Sequence, residues 1–516
     1  MALKTFLDAR HEEAGAVIET DLCIIGSGAA GITVAREFIG SSIRVCLLEA
    51  GGLSINPKVD ERSIIDSVGR EYVNKDSTRL RLFGGSTNHW GGHCVPLQPI
   101  DFEKLAWINY SGWPYPYDEL EPYYRRAHAV LGLGAFDYDA PRIVQALGLE
   151  QFPFDPFAIE TVISRYNAVR FGLTFGDELA TAPNVRVFLH AEVTRLNLHE
   201  GGDALSSALI TTVAGNELKV NAKYFALAAG GIENPRILLL SNHQRPTGLG
   251  NHSGFVGRLF QEHIWYPSGV IFAARREPLR LYTEYIDYGP IKVNGNIAVA
   301  DQKVRELRIP RFRAELSVVA SWQLMRNHFK RADIGIDDIV TLLWRLDQAG
   351  ARLLCDVPFD TDAYILFNHV QQIPNWSSRI FLSDKKDPLG RPQPALDWRI
   401  SSLDHDGIVK AQTLIAREVG RTAFGRTRIE IDPNPGIPVE GCRGVCHHMG
   451  TTRMSDNPSM GVTDGNAKVH HVRNLYIAGS SLFPTCGYAN PTLTIVATSL
   501  RLADHLKSEM RKNDLT

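Results

Sequence analysis

Cysteine is scarce, neither sign of charge prevails, and long apolar runs are missing. Seven cysteines are scattered over 516 residues, too few and too dispersed for a disulfide scaffold. Cys23 and Cys46 fall in strand-like apolar runs and read as buried thiols. Cys442 and Cys446 could pair, but nothing else suggests an oxidising compartment, and two reduced thiols are the favoured reading. A zinc site would need more ligands at close spacing. Lys and Arg total 55 against 57 Asp and Glu, a formal net charge of -2, so neither a nucleic-acid partner nor an acidic tail is indicated. No apolar run is long enough to cross a bilayer. The first twenty residues carry acids and lack the continuous apolar segment of a secretory signal. The expected location is therefore the cytoplasm. Internal repeats and low-complexity tracts are also missing.

What is present is enough apolar material, 44% of residues, for a large core. The length suits about three domain equivalents or one large two-domain enzyme. The first strong signal runs from Asp21 to Glu49. A short apolar strand, DLCII, leads into Gly26-x-Gly28-x-x-Gly31, an amphipathic helix follows, and a second strand ends at Glu49. Gly26 makes the tight turn, Gly28 admits a pyrophosphate, and Gly31 lets helix and strand pack closely. The helix N-terminus faces the phosphates, and Glu49 stands where a carboxylate accepts from ribose hydroxyls. The acid argues against a 2′-phosphate but does not by itself choose FAD over NAD.

Two Gly-Gly pairs flank Ser86, Asn88, His89 and Trp90 in the loop from Leu82 to Leu97. Such a loop is either a structural turn with polar-capped histidines or a wall against a flat cofactor. Beyond it, a helix is expected from about Tyr117 and another over Arg165 to Leu179. Asn184 to Leu198 reads as two strands around a turn, and Leu205 to Val220 as a hairpin. The strand ending at Ala229 runs into Gly230-Gly231 and a second helix. From Tyr266 the pattern is β-rich: Tyr266 to Ala274, Ile291 to Ala300, Leu307 to Ala320, Ala363 to Gln372 and Arg379 to Ser383. Helices are expected over Ile334 to Leu354 and Leu403 to Gly420. This region reads as an antiparallel sheet with helices on its outer side, a cap over the nucleotide domain.

The densest chemistry lies between Cys446 and Thr494. It supplies the pair His447 and His448, an apolar strand from Leu475 to Ala478, and Asn490-Pro491 opening an apolar helix. Taken alone, His447 would more often be a satisfied loop histidine; its setting beside Gly450-Thr451 and upstream of ANPT favours catalysis. Cys94 and Cys486 read as packing residues, and Asp464 and Asn466 as turn formers.

The glycine turn with Glu49, then GGSTNHWGG, AAGGIENPRILL, VGRLFQEH, QQIPNWSSR, HHMGTTRM and NLYIAGSSLFPTCGYANPTLTIVA, in this order, resemble the glucose-methanol-choline (GMC) oxidoreductases, notably bacterial sugar-alcohol members and pyranose oxidase. The resemblance implies an α/β Rossmann-like FAD domain and an α+β substrate cap with an antiparallel sheet, the two-domain architecture shared with p-hydroxybenzoate hydroxylase. The FAD domain is expected to be discontinuous, from residues 1–100, 185–262 and 441–516, with 101–184 and 263–440 forming the cap and its connections.

FAD contacts are then expected from Gly26, Gly28, Ala29, Ala30 and Gly31, from Glu49 and Ala50, and from Gly85, Ser86, Asn88, His89, Trp90 and Gly91. Val193, Ala229, Gly230, Gly479, Ser480, Asn490, Pro491 and Thr492 complete the set. In the family a histidine takes the hydroxyl proton while hydride passes to flavin N5. The family's histidine position falls on His447, and its partner's on Asn490. His448 is given a supporting role, with the reverse assignment left open. His89 matches the position of a covalent flavin link in pyranose oxidase, and a bond here is left open. The expected substrate is a sugar, glycoside or polyol-like alcohol, with oxygen or another electron acceptor as second partner; a homo-oligomer or an electron-carrying subunit is compatible. The alternatives are an oxynitrilase-like lyase and a non-redox flavin-binding subunit.

Overall fold

The computed structural model describes residues 6–54, 60–72, 78–274, 279–319, 363–429, 431 and 443–514. The helix expected over Ile334 to Leu354 and the residue Cys442 lie outside them.

Strand Val17–Ile25 and helix Ala29–Arg36 meet at the first glycine turn. Gly26 sits at φ +105, and a side chain there would strike the carbonyl of Ala228. A Cβ on Gly31 would lie 1.8 Å from the oxygen of Gly26, so glycine is what permits the helix to press against the strand. The strand is central in an eight-stranded sheet. On one side lie Val45–Leu48, Val185–Leu189 and Phe6–Asp8, all parallel. On the other lies Glu217–Leu227, also parallel. That long strand divides its free edge: its first half pairs antiparallel with Leu205–Thr211, and Phe225–Leu227 pairs in parallel with Leu475–Ile477. The late strand is thus delivered beside the first nucleotide-binding unit.

The second sheet has nine strands, all in antiparallel pairs. Its order is Gly425–Ile429, His263–Ala273, Ala363–Gln371, Phe312–Val319, Ile291–Val299, Ile159–Tyr166 and His93–Cys94, with short strands Ile286–Tyr288 and Arg443–Gly444 alongside. Helix Ser402–Arg421 packs on its outer side, with a side-chain capping box between Ser401 and Asp404 fixing its start. Each sheet has its own apolar core. A third, small cluster around Tyr72, Phe260 and Trp398 lies beside a three-stranded sheet of Arg379–Lys386, Pro392–Asp397 and Asp66–Ser67. The architecture is the α/β nucleotide fold with an antiparallel cap.

Three local expectations change. Arg165 is not helical but ends strand Ile159–Tyr166, whose β-branched run suits the sheet; the helix starts only at Phe171. That helix contacts Val185–Leu189 and Ala29–Arg36, so it lies on the nucleotide sheet although its residues fall in a cap segment by sequence. Leu307 closes a helix, Asp301–Leu307, before the strand begins at Phe312. The strands within Asn184 to Leu198 do not form a hairpin: Val185–Leu189 pairs with Val45–Leu48, and Val193–Leu198 with Leu205–Thr211.

Candidate active site

A cavity of about 1000 Å³ runs between the two sheets, at the upper end of the volumes usual for small-molecule sites. Gly26, Gly28, Ala29 and Ala30 line one end, with Glu49 and Ala50 beside them. A Cβ on Gly28 would meet no protein atom within 4 Å; its backbone faces open cavity. Glu49 is anchored there, accepting from the Ser27 hydroxyl and, at 2.8 Å, from the backbone N–H of Gly51. Gly85, Ser86, His89, Trp90 and Gly91 form the middle wall, facing Val193, Ala229 and Gly230. Gly479, Ser480, Pro491 and Thr492 close the cavity toward Asn490, His447 and His448.

Two expected contacts are elsewhere. Gly31 is buried against the strand, where its role is packing. Asn88 turns its amide to the carbonyls of Phe83 and Gly85 at 3.0 and 2.9 Å, shaping the loop instead of facing the cavity.

The sheet geometry brings the late histidines to the cap. Arg443–Gly444 pairs with Ile264 and Trp265, and Gln261 bridges Met449. His263 and His447 therefore face each other, Nδ1 to Nδ1 at 2.8 Å. The other nitrogen of His263, Nε2, lies 3.0 Å from the carbonyl of Gly487. A carbonyl only accepts, so His263 carries its proton on Nε2 and its Nδ1 is the acceptor. His447 must then donate from Nδ1, which leaves an unprotonated Nε2. That nitrogen points at the Asn490 amide, 3.5 Å from Nδ2. The amide is oriented in turn by Arg313, which donates to Asn490 Oδ1 at 3.2 Å.

Below the pair, Glu262 accepts from the backbone N–H of His447 and of His263 at 2.9 and 2.8 Å, and from the Tyr72 hydroxyl. Burial dominates the electrostatics. It holds His447 well below the ordinary histidine pKa, with neighbouring His263, His448 and Arg313 pushing the same way. His263 is lowered to about 4, chiefly by burial and then by Arg313. Glu262 is raised to about 7 because desolvation outweighs its hydrogen bonds. Neutral imidazoles are the outcome.

His448 sits between Tyr72 and Phe260, ring centroids 5.7 and 6.1 Å away. Its pKa is lowered to about 3 by burial, with Arg79 adding to the effect, and its Nε2 has no hydrogen-bond partner among the described residues. Gly231 packs under it: a Cβ there would lie 2.2 Å from the His448 carbonyl oxygen.

The sequence alone assigned no role to His263, Glu262, Arg313, Glu315, His369 or His93. The first two end the VGRLFQEH segment, and that acid-histidine step was the available signal. The others sit in ordinary strand patterns. Among the cap aromatics, Tyr282 is buried and bonded to Thr161 at 2.7 Å, while Tyr285 lines the cavity. Trp376 stacks near Tyr110 and Phe255 outside the cavity lining. Asp464 accepts from the N–H groups of Asn466 and Lys468, both at 2.9 Å, as a turn former does. Cys23, Cys46, Cys94 and Cys486 are buried thiols, and Cys446 has no disulfide partner among the described residues.

Residues 374–499 match the family described as GMC oxidoreductase. Nearly the whole chain aligns with 2-methyl-1,2-propanediol dehydrogenase of Mycolicibacterium austroafricanum, at 25% identity over 95% of each protein. Paromamine 6'-oxidase of Streptomyces fradiae is 27% identical, covering 95% of this chain and 92% of its own. The chain is thus similar to the GMC oxidoreductases, with the family match confined to residues 374–499. Pyridoxine 4-oxidase from Mesorbium loti shares the fold, with a TM-score of 0.55 and 18% identity over 95% of this chain and 99% of its own.

FAD, the cofactor of GMC oxidoreductases, fits what lines the cavity. The open backbone at Gly28 suits a pyrophosphate, the anchored Glu49 carboxylate suits ribose hydroxyls, and Gly91 and Gly230 leave stretches of the wall where no side chain intrudes. Among the described residues no helix is long and apolar enough to cross a membrane, and no group of three or more ligating side chains is placed to hold a metal ion.

Proposed function

We propose that this FAD-dependent oxidoreductase oxidises a hydroxyl-bearing carbon of a sugar, glycoside or polyol-like compound, with His447 as base and Asn490 as its partner. The observation that carries the assignment is the unprotonated Nε2 of His447, set against the Asn490 amide in the cavity that begins at the glycine turn. Bound FAD supplies the acceptor for the hydride. An alcohol is a very weak acid, so its proton must leave as the hydride does. A neutral imidazole is suited to take it. The Asn490 amide N–H donates to the same oxygen and stabilises the charge that develops there. Two groups on one oxygen also fix the orientation of the carbon that reacts. His448 supports the wall on which His447 sits. Glu262 clamps the backbone of both facing histidines.

Relatives named for paromamine and for 2-methyl-1,2-propanediol support a hydroxyl-bearing substrate class. The residues that would hold FAD are those of the glycine turn, Glu49, the loop from Gly85 to Gly91, Gly230 and Gly479 to Thr492. His89 lies in the cavity wall; acid precipitation of the yellow holoenzyme tests whether it is bonded to the cofactor, since a covalent flavin stays in the pellet. The division into a discontinuous FAD domain and a cap, and a cytoplasmic location, are part of the same proposal. Anaerobic addition of a sugar or polyol should bleach the flavin absorbance. Yellow protein that no alcohol bleaches would overturn the redox reading and leave a lyase or a non-redox subunit.

A further inference from the structure

A second polar group lies on the cap side of the same cavity. Glu315, on strand Phe312–Val319, has its Oε1 3.6 Å from His93 Nδ1 and 3.6 Å from His369 Nε2. Both distances exceed a good hydrogen bond. Arg313 donates to His93 Nε2 at 2.9 Å. A guanidinium cannot accept, so His93 carries its proton on Nδ1, beside the carboxylate. His369 Nδ1 is buried with no partner among the described residues. All three side chains line the cavity.

In the cavity wall, Glu315 Oε1, His93 Nδ1 and His369 Nε2 face one another at distances too long for good hydrogen bonds, so a ligand entering between them can complete what they leave unpaired. The donors and acceptors here alternate: an acceptor carboxylate flanked by imidazoles, at least one of them an N–H donor. A hydroxyl both donates and accepts, so it satisfies this pattern. Arg313 already neutralises Glu315 at 3.3 Å, so no cationic group is needed, and the carboxylate disfavours an anion. The same Arg313 nitrogen also holds Asn490 Oδ1 at 3.2 Å. The subsite and the catalytic amide therefore lie within reach of one guanidinium nitrogen, close enough for neighbouring hydroxyls of one molecule.

We propose that Glu315, His93 and His369 form a diol-recognition subsite, selecting substrates with a hydroxyl on the carbon adjacent to the one oxidised. The inference rests on the oxidase or dehydrogenase reading above. The test is anaerobic flavin reduction of the holoenzyme by trans-1,2-cyclohexanediol and by cyclohexanol. The diol should be favoured by roughly 100-fold or more in kcat/KM, as expected when a site built to hydrogen-bond a hydroxyl meets an analogue lacking it. Glu315→Gln and, separately, His369→Phe should collapse the diol-to-monoalcohol ratio, acting mainly through KM for the diol. Equal use of both alcohols by the wild type, or variants that slow both alike, would overturn the subsite. The wild-type preference decides the matter if a variant fails to retain FAD. Bleaching by neither of these nor by any sugar removes the redox reading, and the subsite with it; bleaching by sugars alone, with no difference in Glu315→Gln, removes only the subsite.

Discussion

At the scale of single residues, the central feature is a proton count. Gly487 offers only a carbonyl, which forces the proton of His263 onto Nε2 and that of His447 onto Nδ1. Replacing His263 by Phe takes away the acceptor for that proton. The rate of flavin reduction should then fall about 10- to 100-fold, a loss of the size expected when a base is no longer held in register, with FAD still bound by absorbance. Asn490→Ala should slow reduction by about 100- to 1000-fold, the usual range for one lost donor to a developing oxyanion, again with FAD retained; unchanged reduction would remove its role. The pH dependence follows from the lowered His447 pKa. The reactive form is neutral, so His447 itself loses activity only as pH falls through its depressed value and contributes no limb near about 6.5, where a free imidazole titrates; a limb near 7 belongs to Glu262, which titrates there. The acid limb belongs to the coupled His263–His447 pair rather than to one ring. A limb centred at or above that ordinary value that persists in Glu262→Gln, in rapid-mixing measurements across pH, would contradict a buried neutral base.

At the scale of elements, the two glycines of the first turn should behave oppositely. Gly31→Ala puts a methyl 1.8 Å from the oxygen of Gly26, so the helix must move off the strand, and both thermal stability and FAD retention should fall. Gly28→Ala meets nothing in the protein; its apoprotein stability should stay within about 0.5 kcal/mol of wild type while FAD affinity drops. Equal melting temperatures for the two apoproteins would refute this division of labour. Such a turn was legible in the sequence because local spacing alone defines strand, glycines, helix and acid. Asn490-Pro491 was legible for the same reason, and helix Pro491–Asp514 begins there. Arg165 misled because five residues on either side mix helix and strand formers, and the cap sheet, a long-range partner, decided. His263 and Arg313 were invisible as functional groups because their roles come from register: Arg313 stands opposite His369 across a strand pair, and His263 meets His447 only when Arg443–Gly444 joins the sheet edge.

At the scale of the whole molecule, the site exists only where the two sheets meet, and buried charge ties the nucleotide sheet to the small three-stranded sheet beside it. Glu192, beside the cofactor cavity, binds Arg62 at 3.0 Å and also Arg391. Arg391 reaches Asp387, which pairs with Arg236 at 2.7 Å, both side chains essentially unexposed. Asp387→Ala would leave Arg236 with Glu233, at 3.3 Å, as its remaining counter-charge, and chemical denaturation should show a loss of about 1 to 3 kcal/mol, short of what a fully broken buried pair costs; a change under about 0.5 kcal/mol would show the network to be incidental. The cap contributes His263 and Arg313, the nucleotide side contributes His447 and Asn490, and their convergence is what makes an unprotonated nitrogen available above the cofactor cavity. The most direct test is His447→Ala, mixed anaerobically with a reducing sugar or polyol while flavin absorbance is followed. A yellow, folded variant whose reduction is slower by about 100- to 10,000-fold, the range typical of a lost general base, is the predicted result. Reduction at the wild-type rate would contradict it.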